Sequence, residues 1–259
     1  MPSLRPLLAA ALLLSACTSA PVTPEPSPEP SIPEDVNLTG DRVTTSKGNL
    51  ILHPINHATL ALGWSSKTIY VDPVGPLERY AGLPDASAIL VTDIHADHLS
   101  ADTLGALLRE GTVLIVPQAV KDQLPAALQA RAQVLANGQT TQVEDLGVEA
   151  LPMYNLTPGR DFHAKGRGNG YVLSAGGRRV YIAGDTEDTT EMRALTGIDV
   201  AFVPMNLPYT MTVQQAADAV RAFKPGVVYP YHYRGSDVAE FSRLVGTDVG
   251  VEVRLREWY

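Results

Sequence analysis

The 259-residue sequence has a single cysteine, Cys17, and no excess of positive charge. With no second cysteine, no disulfide can form within the chain, so export would bring no covalent cross-link to the fold. The formal net charge of -8 argues against a nucleic-acid partner, because nucleic-acid-binding proteins normally present a basic face. A small anionic substrate stays open, since the local charge at a pocket can oppose the global sign.

The sequence also has no N-terminal apolar run long enough for a membrane-spanning helix. Leu7 to Leu14 is apolar and follows Arg5, a combination typical of a signal peptide. The segment Leu14-Ser15-Ala16-Cys17 resembles a bacterial lipobox, in which cleavage exposes Cys17 for acylation. We therefore predict a signal peptide over residues 1–16 and an exported protein that is lipid-anchored at Cys17 to a membrane of the bacterial cell envelope. An ordinary signal peptide with an incidental cysteine is the alternative.

Residues 17–35 form a predicted linker. From Pro21 to Pro33 proline alternates with Glu, Ser and Thr, a composition that favours extended polyproline conformations and cannot bury a core. We predict that this segment holds a folded domain, residues 36–259, away from the bilayer.

Short β-type runs dominate the first part of this domain, and strands alternate with helices in the second part. Leu50 to Ile55 and Thr68 to Asp72 are typical of strands, whereas Thr212 to Phe223 has helical periodicity. Val249 to Leu255 is predicted as the last strand. This mixture predicts an α/β (α+β) fold in which two sheets pack face to face with helices outside.

The segment from Thr92 to Ser100 contains two histidines and two aspartates within six positions, directly after the apolar run Ala88 to Val91. Such a run predicts a buried strand that ends in a polar loop. Imidazoles and carboxylates crowded at a strand end need a cationic partner, and a divalent metal is the simplest one. The candidate ligands here are Asp93, His95, Asp97 and His98.

Three further candidates lie downstream. Asp185 and His232 directly follow predicted strands, while His163 lies in a loop that contains Arg160, Lys165 and glycines. Together with Arg167 and Arg234, these basic residues predict either a cationic rim for a carboxylate or phosphate, or a solvated loop.

Five features follow one another along the chain: Asp72, the metal-rich loop, His163, Gly-Asp185-Thr and His232. In this order they resemble the metallo-β-lactamase fold superfamily. The chain is similar in particular to its branch of ascorbate-6-phosphate lactonase-like hydrolases, from about Leu50 to His232. The resemblance implies a four-layer αββα sandwich.

The resemblance also assigns roles to the candidate residues. His95 and His163 would hold a first metal; Asp97, His98 and His232 would hold a second, with Asp185 bridging the two. The family's loop usually reads His-x-His-x-Asp-His, and here Asp93 replaces the first histidine. Asp93 either binds the first metal as a carboxylate or leaves that site weak. Asp72 matches a carboxylate that orients the metal loop without binding metal. His57 matches a histidine near the pocket, although a structural histidine is the favoured interpretation of it.

By this resemblance the protein is a metal-dependent hydrolase with two divalent ions, zinc being favoured and manganese or iron the alternatives. A hydroxide generated between the metals would attack a carbonyl carbon or a phosphorus, and Asp97 would orient it. The expected substrate is a small anionic ester, lactone or phosphodiester. The alternatives are a β-lactam hydrolase, a non-catalytic metal-binding envelope lipoprotein and, last, a di-iron redox protein.

Overall fold

The computed structural model describes residues 34–64 and 66–259. The predicted signal peptide, the acylated Cys17 and nearly all of the predicted linker lie outside the described residues. Among the described residues no helix is both long and apolar enough to cross a membrane.

The first sheet has seven strands in chain order, and its character changes halfway across. Strands β1 to β4 are antiparallel, whereas β4 to β7 are parallel. The strands are β1 (Asp41–Thr45), β2 (Gly48–Asn56), β3 (Thr59–Trp64), β4 (Lys67–Val71), β5 (Ala88–Leu90), β6 (Val113–Val116) and β7 (Ala132–Val134).

The second sheet repeats this succession. Strands β8 to β11 are antiparallel and β11 to β14 are parallel. The strands are β8 (Thr140–Val143), β9 (Leu146–Met153), β10 (Gly168–Ala175), β11 (Arg178–Ile182), β12 (Val200–Pro204), β13 (Val227–Tyr231) and β14 (Glu252–Val253). The expected long last strand is thus only two residues, and β1, β7 and β8 are edge strands that the apolar pattern did not reveal.

The helices are short except for one. They are α1 (Ala101–Leu107), α2 (Gln118–Gln123), α3 (Ala126–Gln129), α4 (Thr190–Arg193), α5 (Val213–Phe223) and α6 (Val238–Val245), with a 3₁₀ turn at Leu77–Tyr80. Helix α5 begins at a capping box in which the Thr212 side chain and the Gln215 side chain satisfy each other's backbone N–H groups.

Three apolar cores separate four layers. In β2, Leu50 and Leu52 point into the core between the sheets, whereas Ile51 points into the core beneath α1 and α2, as alternation along a strand requires. A third core lies between the second sheet and helices α4, α5 and α6, where Ala216 and Phe241 pack. The predicted αββα sandwich is therefore confirmed.

Candidate metal centre

Most of the candidate ligands, and Asp72 behind His98, lie on connections at the carboxyl ends of strands. Asp72 follows β4, the loop 92–100 follows β5, Asp185 follows β11 and His232 follows β13. Because the carboxyl ends of parallel strands meet at one edge of a sheet, these connections converge where the two sheets face each other. His163 reaches the same place from the loop between β9 and β10.

Four side chains form one cluster that can hold a metal ion, which we call the second position: Asp97, His98, Asp185 and His232. His98 Nε2 lies 3.2 Å from Asp185 Oδ2, and His232 Nε2 lies 3.2 Å from Asp185 Oδ1 and 3.3 Å from Asp97 Oδ2. All but Asp97 are buried, and Asp97 faces solvent with 45% of its side chain exposed.

Three side chains form a neighbouring cluster, which we call the first position: Asp93, His95 and His163. His95 Nδ1 lies 2.6 Å from Asp93 Oδ2, and His163 Nε2 lies 3.8 Å from the same oxygen. His163 Nε2 also lies 3.3 Å from Asp185 Oδ2, so Asp185 stands between the two positions. The structure thus brings together all seven residues that the sequence singled out as ligands.

The chemistry of these groups fits a divalent cation. His98 Nε2, His163 Nε2 and Asp185 Oδ1 are buried and have no hydrogen-bond partner in residues 34–64 and 66–259. Orphaned buried polar atoms are rare in folded proteins, and here they point toward one another. Imidazole nitrogens and carboxylate oxygens arranged in this way are a ligand set for zinc, manganese or iron.

Outer partners fix the ligand rings. Asp72 Oδ2 accepts a hydrogen bond from His98 Nδ1 at 2.7 Å, and Thr92 donates to both Asp72 oxygens from its backbone N–H and its hydroxyl. This arrangement leaves His98 Nε2 free to act as a ligand. His163 Nδ1 is held in the same manner by Asn155 Oδ1 at 3.0 Å.

His57 belongs to the site as well. Its Nε2 lies 3.1 Å from Asp97 Oδ2, its Nδ1 lies 2.8 Å from the Tyr259 hydroxyl, and its ring lies 3.7 Å from that of His232. It therefore orients a ligand, and Tyr259 is a contributor that no local sequence signal marked.

Electrostatics keep the carboxylates of Asp185 and Asp97 ionised. Burial opposes ionisation of Asp185, but the charges of His232 and His98 outweigh it and hold the pKa of Asp185 well below its ordinary value. Burial likewise opposes ionisation of Asp97, whose pKa is lowered by its hydrogen bonds to His232 and His57. Anionic oxygens are thus present at the centre at neutral pH.

The local backbone is held in unusual conformations at this edge. Asp72 and His232 both have positive φ, 45° and 46°, a region that non-glycine residues seldom adopt. Gly184, with φ 65°, precedes Asp185, and a Cβ there would lie 2.6 Å from Met153 Sδ and 3.1 Å from the Asn169 carbonyl oxygen. Glycine is therefore required to bring Asp185 into the site.

A cavity of about 520 Å³ opens onto both positions. Phe162 and Tyr209 form one aromatic wall, their rings 4.9 Å apart edge to face, and Arg234 also lines the cavity. The lining residues are His57, His95, Asp97, Phe162, His163, Asp185, Asn206, Tyr209 and Arg234. Phe162 was missed from the sequence although it precedes His163.

The four basic residues of the expected cationic rim differ in their ion-pair partners. Arg160 pairs with Glu187, Lys165 with Glu191 and Arg167 with Asp93. Arg234 has no carboxylate within ion-pair distance in the described part of the chain, and its guanidinium lies over the Tyr259 ring at 5.2 Å.

Buried Glu187 organises the loop that carries His163, and no sequence pattern indicated this role. Its Oε2 accepts hydrogen bonds from the backbone N–H groups of Leu156 and Thr157, and its Oε1 lies 3.4 Å from Asn155 Nδ2. Glu187 therefore fixes the loop, and through Asn155 the ring of His163.

The fold and the ligands at this edge of the sheets define a class of protein. Comparison with known proteins identifies that class. Residues 67–233 match the family model described as the Beta-lactamase superfamily domain, and the chain belongs to that superfamily.

Particular relatives are similar along most of their length. A UPF0173 metal-dependent hydrolase of Symbiobacterium thermophilum is 33% identical over 83% of this chain and 87% of its own. A UPF0173 metal-dependent hydrolase of Deinococcus radiodurans is 31% identical over 80% of this chain and 96% of its own. A crystal structure from Parabacteroides distasonis, assigned as a metal-dependent hydrolase, has a TM-score of 0.79 and 42% identity, covering 85% of this chain and 99% of that one.

Proposed function

We propose that this protein is a metal-dependent hydrolase of a small anionic ester, lactone or phosphodiester. One observation carries the proposal: two ligand clusters joined at Asp185 line a cavity that Arg234 also lines. Among the described residues, Arg234 is the one arginine or lysine in this lining, and no carboxylate pairs with it. The relatives named as metal-dependent hydrolases support the reaction class. The similarity to ascorbate-6-phosphate lactonase-like hydrolases, read from the sequence, supports an anionic substrate and belongs to the same proposal.

The residues present would hold two divalent cations, zinc by preference and manganese or iron as alternatives. When bound, such cations polarise a substrate oxygen and lower the pKa of a water toward neutrality. Asp97 is the catalytic residue of the proposal, because its half-exposed carboxylate faces the cavity while His57 and His232 fix its Oδ2. A carboxylate held in this way orients an attacking water.

Arg234 would bind the negative charge of the substrate. A guanidinium forms paired hydrogen bonds with carboxylate and phosphate oxygens, and no carboxylate of the described chain competes for it. The Phe162 and Tyr209 rings offer apolar contact to the rest of the molecule.

The test compares a phosphodiester, a negatively charged lactone, a neutral aryl ester and a β-lactam as substrates of the purified, metal-loaded protein. We expect turnover of the anionic phosphodiester or lactone, abolished in Asp97→Ala. Turnover of the β-lactam alone, or unchanged hydrolysis by Asp97→Ala with metal retained, would contradict the proposal.

Arg234→Met should raise KM for the anionic substrate by about tenfold to a hundredfold, the range of one charge-assisted hydrogen bond. KM for the neutral ester should not change, and Arg234→Lys should recover part of the loss. Arg243→Met, which removes the same charge from the exposed surface of α6, is the matched control. Equal effects of Arg234→Met on charged and neutral substrates would reject the anion-binding role.

We also propose that the protein is an exported lipoprotein, anchored at Cys17 in the bacterial cell envelope. The arrangement of Arg5, the apolar run Leu7 to Leu14 and the lipobox-like Leu14-Ser15-Ala16-Cys17 supports this proposal. Metabolic labelling with a radioactive fatty acid should mark the full chain and not Cys17→Ser. Equal labelling of both would contradict the anchor.

A further inference from the structure

We propose that Arg167 makes the two cation positions unequal, so that the second position fills first and the first position fills only at higher metal concentration. The inference rests on the metal centre of the proposed function. It concerns Asp93, at which the loop departs from the His-x-His pattern, and Arg167, which pairs with Asp93.

Arg167 engages the only carboxylate that belongs to the first position alone. Its Nε donates to Asp93 Oδ1 at 3.2 Å and its Nη2 donates to Asp93 Oδ2 at 3.0 Å, a two-pronged contact with a side chain that is fully buried. The oxygen Oδ2 is also the one that lies 2.6 Å from His95 Nδ1. A cation at the first position would therefore share Asp93 Oδ2 with a guanidinium.

The charges of the two positions differ as a result. At the first position the charge of Asp93 is already balanced by Arg167, and the other two ligands are imidazoles. At the second position Asp97 has only histidines within ion-pair distance in the described part of the chain, and the Asp72 carboxylate stands behind His98. Asp185 is common to both and does not distinguish them.

A positive charge beside a cation site lowers affinity, and it does so strongly where both are buried. In the metal-free protein the same pairing stabilises Asp93, since a buried carboxylate without a partner is costly. Arg167 therefore acts twice against the first position: it repels the cation and it lowers the free energy of the empty state.

The experiment titrates Co²⁺ into chelator-treated protein, followed by its absorption bands, with equilibrium dialysis and elemental analysis to count ions per chain. For the unmodified protein we expect two equivalents, the first bound at least about tenfold more tightly than the second, the effect typical of an outer partner of a ligand. Two equivalents of equal affinity would overturn the inference.

Variants assign the two equivalents. Asp93→Asn should keep one equivalent at the tight affinity and lose the other. Arg167→Met should tighten the weak equivalent by about tenfold, because Asp93 then lacks its cation, whereas Arg167→Lys keeps the charge and should preserve the difference. Loss of the tight equivalent in Asp93→Asn, or an unchanged weak equivalent in Arg167→Met, would overturn the assignment.

A lone buried Asp93 can unfold metal-free Arg167→Met, so the double variant Asp93→Asn/Arg167→Met, which removes both charges, is titrated beside it. One tightly bound equivalent in the double variant supports the inference. A double variant that binds no ion tightly would overturn it. These titrations need no substrate: if no compound is hydrolysed, the inference stands on the binding data, and if hydrolysis is found with two equal equivalents, only the inference fails.

Discussion

The two metal positions share Asp185 but differ in what lies behind their other ligands. Behind the second position a carboxylate, Asp72, is fixed by Thr92 at the end of a buried strand. Behind the first position stand a guanidinium, Arg167, and a loop that depends on Asn155 and Glu187. The difference indicates that loops at the carboxyl ends of the strands place every ligand of the second position, whereas the first position also depends on His163, from the loop between β9 and β10.

The largest effect is expected where the two positions meet. Asp185→Asn removes the carboxylate that both share, so it should weaken both equivalents of Co²⁺ by about a hundredfold or more, beyond the range of outer partners. Hydrolysis should fall below detection. Circular dichroism serves as the control for folding, and a folded variant that retains two ions per chain would contradict the bridging role.

A change behind the second position should have an intermediate and selective effect. Asp72→Asn replaces the acceptor of the His98 Nδ1 hydrogen bond by an amide that can present a donor instead, so His98 loses its fixed orientation. The tight equivalent should weaken by about 10–100-fold in the Co²⁺ titration, with a smaller change in the weak one. An effect confined to the weak equivalent would reverse the assignment of the two positions.

The smallest effect is expected in the loop of the first position. A hydrogen bond from Lys165 lowers the pKa of Glu191 to about 2, and burial opposes the shift only partly. Because this pKa lies below the unfolded value, the interaction stabilises the fold above about pH 4.5 and is lost as the pH falls toward 2.

Glu191→Gln should therefore lower the urea midpoint of the metal-free protein slightly at neutral pH, as is usual for a largely exposed ion pair. The difference from the unmodified protein should shrink as the pH falls toward 2 and disappear only below that pH, where Glu191 is protonated in both the folded and the unfolded state. A difference that is constant from pH 7 to pH 2 would show that the pair does not act through its charge.

Much of this site is predictable from the sequence because ligands at strand ends lie next to recognisable apolar runs. Asp185 and His232 lie close together because the parallel strands β11 and β13 end at one edge of the second sheet, and the packing of the two sheets brings His98 from the first sheet to the same place. The pairing of the basic residues was not predictable. Arg167 and Arg234 look alike in the sequence, and only the packing of distant segments shows that one meets Asp93 and the other faces the cavity.

The same limit applies to the elements that the apolar pattern missed. Strands β1 and β8 are partly exposed along their length, so their sequences lack the run of apolar residues that marks a buried strand. Glu187 and Tyr259 act through contacts with segments far away in the chain, which no short pattern encodes.

The two sheets repeat one succession, antiparallel strands followed by parallel ones, and every predicted ligand lies on a connection at their common edge. The three apolar cores are thus separate from the residues that carry the chemistry. Because Asn155, His163 and Arg167 belong to the metal centre, an exchange limited to residues 156–162 should alter recognition of the substrate at Phe162 while leaving the ligands and the scaffold in place.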